Sequence, residues 1–97
     1  MKIVDFKTFV VGNPWKNWVF LKLYTDEGIT GVSEATGGLY TMPVIEQIKE
    51  LSRVYIGMDP RNPEKIYDAM YKALFLDTNI AMSAIEIACW DIIGKML

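Results

Sequence analysis

One stretch limits what this chain can become. Residues 77–95 read Asp-Thr-Asn-Ile-Ala-Met-Ser-Ala-Ile-Glu-Ile-Ala-Cys-Trp-Asp-Ile-Ile-Gly-Lys, three residues suited to capping a helix N-terminus followed by more than four apolar turns. Only Ser83, Glu86, Asp91 and Lys95 are polar after the cap. Such a helix has almost no wet side, so the other elements have to wrap it. Ala81, Ala84 and Ala88, with Ser83 beside them, let a neighbour approach closely, while Met82, Ile85, Trp90 and Ile92 supply bulk elsewhere. Asp91 and Lys95 stand at i,i+4, where opposite charges meet on a helix surface. A membrane span needs about 20 uninterrupted apolar residues, and Glu86 and Asp91 interrupt this run.

The rest of the chain predicts what does the wrapping. Residues 2–11, rich in Val, Phe and Thr and ended by Gly12-Asn13-Pro14, predict a strand. Residues 16–25 predict a second, with Trp18, Phe20, Lys22 and Tyr24 on one face and Val19, Leu21 and Leu23 on the other. Asp26-Glu27-Gly28 forms a tight turn, and residues 29–36 return antiparallel.

Thr41 then caps a helix over residues 42–56, with Pro43 in its first turn and Val44, Ile45, Ile48, Leu51 and Tyr55 at helical spacing. Glu46, Lys49, Glu50 and Arg53 make its solvated face. Asn62 caps and Pro63 opens another helix, whose apolar stripe is Ile66, Met70, Ala73 and Leu74. Strands first and helices afterwards argue an α+β class: a three-stranded antiparallel meander followed by a bundle of about three helices. At 97 residues the chain makes one domain, and 52% hydrophobic content is high for so small a core, which hints at a covered face.

Chemistry is sparse. The net charge of -2 is spread without a basic block, which excludes nucleic acid as a partner. There is no histidine, the commonest neutral-pH base. The single cysteine lies inside the apolar helix, so no internal disulfide can form, and the N-terminus shows no secretory signal; both point to the cytoplasm. No carboxylate set has metal-ligand or paired-acid spacing, so the 97 residues by themselves carry no catalytic residue and no metal ligand.

Three motifs in order give a resemblance. Ser-Ala-Ile-Glu-x-Ala-x-x-Asp-Ile-x-Gly-Lys from Ser83 to Lys95, Gly31-Val32-Ser33-Glu34-Ala35 after the turn, and Gly57-Met58-Asp59-Pro60 resemble the N-terminal capping domain of the mandelate racemase and muconate lactonising group of the enolase superfamily. Trp90 before Asp91 resembles the Trp-Asp pair of its acid-sugar dehydratases, the gluconate and galactonate type. Ile80, Cys89 and Ser33 depart from the usual pattern.

The resemblance implies a lid on a (β/α) barrel absent from this chain, and that barrel would bind Mg²⁺ and carry the bases. It implies abstraction of the proton α to a carboxylate and loss of water, a small acid-sugar substrate, and a homo-oligomer. Racemase and cycloisomerase share the same domain.

Two loops match the lid's position: residues 12–18, with Trp15, Lys16 and Asn17, and residues 36–41, with Tyr40 and Thr41. These five are the candidate substrate contacts. Glu34, leading into the second loop, reads as a structural carboxylate. The chain breaks off just after Gly94, which predicts a reading frame continuing into barrel strands. A stand-alone, non-catalytic binding or assembly module is the alternative from a different class.

Overall fold

The computed structural model describes residues 1–12, 17–36, 41–74 and 80–97, without the side chain of Leu74. Its elements run β1 (Ile3–Gly12), β2 (Asn17–Thr25), β3 (Thr30–Glu34), α1 (Thr41–Tyr55), α2 (Pro63–Leu74) and α3 (Ile80–Met96). The strands form one antiparallel sheet in the order β1-β2-β3. This is the α+β meander and helix bundle that the sequence predicts, with element ends moved by a residue or two.

The core lies between one face of the sheet and the helices. Alternation along β2 buries Val19, Leu21 and Leu23 against the helices and leaves Trp18, Phe20, Lys22 and Tyr24 half-buried on the outer face. The helices contribute Val44, Ile48, Leu51 and Tyr55 from α1, Ile66 and Met70 from α2, and Ala81, Met82, Ala84, Ile85, Ala88, Cys89 and Ile92 from α3. Ala73, expected in the α2 stripe, is exposed, because the buried stripe passes through Pro63, Ile66 and Met70 instead.

The close approach expected of α3 happens at β3. A Cβ on Gly31 would come 2.1 Å from the Ala88 carbonyl oxygen and 2.7 Å from Ile92 Cγ1, so only a glycine lets the helix lie this near the strand. Ser33, on the same face, donates its hydroxyl to the Ala84 carbonyl at 2.6 Å. The residue that departs from the family pattern therefore anchors the same helix.

The Asp91–Lys95 pair does more than its spacing suggests. The two side chains meet at 2.9 Å, and each also reaches the free edge of β3. Val32 N–H donates to Asp91 Oδ2 at 2.9 Å, and Lys95 Nζ donates to the Thr30 carbonyl at 2.7 Å. Donation from Val32 and then from Lys95 holds the Asp91 carboxyl below its ordinary pKa.

One expectation for α3 needs correcting. It is not wrapped on every side: Ile80, Ile87 and Trp90 are 42%, 54% and 50% exposed. The sheet, α1 and α2 reach round only part of the helix, and Trp90 lies on the uncovered side.

Candidate functional site: the loop end of the sheet

Both candidate loops leave from and return to one end of the sheet. Gly12 pairs with Asn17, so the first loop closes a hairpin there. Thr36, where the second loop starts, accepts the Val19 N–H on its Oγ1 at 3.2 Å, and Ala35 N–H donates to the Val19 carbonyl at 2.8 Å. Thr41, where that loop ends and α1 begins, accepts from Asn17 Nδ2 at 3.5 Å, the long limit for such a bond. The Asn17 side chain lies over the β1 end, its Oδ1 2.9 Å from where a Cβ on Gly12 would stand.

Of the five predicted contacts, the structure therefore brings together Asn17 and Thr41. Trp15, Lys16 and Tyr40 lie outside the described residues, as do Gly37 and Gly38. Glu34 is exposed on the outer face beside Phe20, its cross-strand partner.

Thr36 is the residue that sequence reasoning missed. Its only signal is a hydroxyl just before Gly37-Gly38, a position that often closes a turn by a side-chain bond.

Among the described residues no three of His, Cys, Asp and Glu converge on a point that could hold a metal ion. The described residues therefore offer no ligand set that fits Mg²⁺. Nor is there a nucleophile in the helix: burial, with the Glu86 charge nearby, pushes the Cys89 thiol up to about 12, far from the thiolate needed for reaction.

Two concavities among the described residues lie near the other end of the sheet. One of about 440 Å³ is lined by Arg61, Asn62, Pro63, Glu64, Lys65 and Trp90, and one of about 250 Å³ by Gly57, Met58, Asp59, Asn62 and Lys65. Both adjoin the α1–α2 connection, which pairs with the start of β1 through Ile3 N–H to the Met58 carbonyl and Gly57 N–H to the Ile3 carbonyl. Asp59 there accepts from the Arg61 backbone at 2.9 Å and from its guanidinium at 2.6 to 3.1 Å, which holds the carboxyl down to about 2. This is a turn that fixes the start of α2, with its charges already paired. Among the described residues no helix is long and apolar enough to cross a membrane.

Comparison with known proteins agrees with this architecture. A D-galactonate dehydratase family member from Oceanicola granulosus is 43% identical over 99% of this chain, and a D-galactonate dehydratase from Ralstonia pickettii is 42% identical over 82% of it. The crystal structure of a member of the enolase superfamily from Salmonella Typhimurium superposes with a TM-score of 0.88 at 38% identity, over 98% of this chain and 27% of that one. The chain spans about a quarter of the length of the curated relatives it matches, 24% and 22% for the two named. Residues 6–97 match the N-terminal domain described for mandelate racemase and muconate lactonizing enzyme, and the chain belongs to that family.

Proposed function

We propose that this domain covers the active site of a Mg²⁺-dependent acid-sugar dehydratase and grips the substrate with Trp15, Lys16, Asn17, Tyr40 and Thr41. The observation that carries the reading is the convergence of both loop roots, with Asn17 and Thr41 at 3.5 Å and Thr36 clasped to Val19. Two relatives with dehydratase in their names support the reaction class.

A polyhydroxy carboxylate matches what these residues offer. The Asn17 amide and Thr41 hydroxyl both donate and accept, as a row of sugar hydroxyls requires. Lys16 supplies a cation for the carboxylate, and Trp15 and Tyr40 supply flat apolar surface for the carbon chain.

The reaction takes the proton from the carbon α to the carboxylate and expels the β-hydroxyl as water; the enol left behind tautomerises to a 2-keto-3-deoxy acid. Every base, acid and metal ligand for it lies outside these 97 residues, in the barrel that the relatives' greater length accommodates. What this domain contributes is binding, orientation and exclusion of water. The whole protein is a cytoplasmic homo-oligomer on this reading.

The test is a panel of aldonic acids with the full-length protein that carries this domain, reading 2-keto acid formation. Asn17→Ala and Thr41→Ala should each raise KM about tenfold or more, the loss of one or two hydrogen bonds. Dehydration with KM unchanged in both variants would overturn the loop assignment, and no dehydration of any acid by the unsubstituted protein would overturn the reaction class.

A further inference from the structure

At the loop end, β2 runs on past β3. The last registered pair between them is Phe20 with Glu34, while Asn17, Trp18 and Val19 continue beside β1. One step further along, Ala35 N–H still donates to the Val19 carbonyl at 2.8 Å. In an antiparallel ladder such a pair exchanges two bonds, so the Val19 N–H would return to the Ala35 carbonyl. It goes instead to Thr36 Oγ1 at 3.2 Å. A side chain stands in for the backbone acceptor, the part-buried N–H is satisfied, and the ladder ends there.

We propose that Thr36 is a positioning residue: its hydroxyl sets the point at which the chain leaves the sheet, and so keeps the neighbourhood of Asn17 and Thr41 open to substrate. The proposal rests on the reading of those two residues as substrate contacts. Asn17 lies two residues before Val19, on the same face of β2 and about 7 Å along the strand. Its Nδ2 donates to Thr41 Oγ1 from one end of that short piece, and Thr36 is fastened at the other. Without the hydroxyl, the Val19 N–H is free to take the Ala35 carbonyl and the ladder to lengthen. Continued in the same register, Thr36 would lie opposite Trp18, and the chain would leave the sheet about 3.3 Å nearer to Asn17. The Asn17–Thr41 bond, already at its long limit, is what that shift would disturb.

The test uses the full-length protein and the aldonic acid that it dehydrates fastest. Thr36→Val keeps the shape of the side chain and removes the acceptor, whereas Thr36→Ser keeps the acceptor. Thr36→Val should raise KM about fivefold or more with kcat within about twofold, and Thr36→Ser should keep the parent's KM. A residue that only stabilised the fold would change the amount of active protein, which lowers apparent kcat and leaves KM alone. Because Thr36 acts through the pair, adding Thr36→Val to Asn17→Ala should raise KM by less than about twofold more.

An unchanged KM in Thr36→Val, with KM raised in Asn17→Ala and Thr41→Ala, overturns the proposal and leaves the substrate reading standing. Equal rises in Thr36→Val and Thr36→Ser overturn it too, since the hydroxyl is then not what positions the contacts. A full fivefold rise on top of Asn17→Ala does the same, because Thr36 would then act independently of the pair. An unchanged KM in all three single variants, or no turnover of any acid, overturns the substrate reading and the proposal with it.

Discussion

The two ends of the sheet are built to different standards. At the end where β2 turns into β3, the chain is tied repeatedly. Gly28 takes a φ of 82° to close the turn, Thr25 Oγ1 donates to the Ile29 carbonyl, Asp26 accepts from the Lys2 backbone, Met58 and Gly57 pair with Ile3, and Lys95 reaches Thr30. At the other end, where the candidate contacts sit, the side-chain ties among the described residues include the Thr36–Val19 bond and the long Asn17–Thr41 one. One end is scaffold. The other carries in Asn17–Thr41 a bond at the long limit, of the kind that exchanges readily for another partner.

The difference can be broken by mutation. Gly31→Ala should cost about 3 kcal/mol or more, since its methyl must displace the Ala88 backbone, and thermal unfolding should fall by well over 10 °C. Ser33→Ala should cost about 1 kcal/mol by removing one buried hydrogen bond. Thr41→Ala, at the loop end, should cost less than about 0.5 kcal/mol. Equal losses for Ser33→Ala and Thr41→Ala would erase the contrast between scaffold and site.

Acid sharpens the comparison further. The carboxyls of Asp59 and Asp91 are both held below their unfolded values, so each contributes stability that is present above about pH 4 and lost as pH falls. For Asp59 the loss runs from about pH 4 down to about 2, because its folded pKa is about 2. Chemical denaturation at pH 6 and pH 3 should show lower stability at pH 3, and Asp91→Asn should reduce that drop. A stability unchanged between the two pH values would remove these two carboxyls from the scaffold. The smallest effect concerns Cys89: with the thiol buried and its pKa near 12, alkylation at pH 7 should proceed at the rate of global unfolding. Labelling within seconds would mean that α3 opens locally.

The fold was legible because its signals are local. Alternation in β2, the Gly28 turn, the Asn62 cap and the apolar run of α3 each lie within one element. What the chain order hid was long-range. Ser33 and Ala84 are 51 residues apart, Val32 and Asp91 are 59, and nothing in the spacing of Asp91 and Lys95 says that they reach past each other to a strand. Which side of α3 stays open was hidden for a related reason: a helix apolar all round does not say where its neighbours stop, so Trp90 read as interior bulk. The candidate contacts follow the same division. Loop position came from the sequence, but the meeting of Asn17 with Thr41, 24 residues on, and the clasp of Thr36 required the folded chain.

The pairing of Asp91 and Lys95 with β3 also bears on what happens at high concentration. An edge strand with bare amides is a template on which other chains add, and the first step of many fibrils is such an addition. Here a carboxylate and an ammonium group, one helical turn apart, occupy the donor of Val32 and the acceptor of Thr30. Accretion of another strand is thereby blocked at those two groups of the β3 edge.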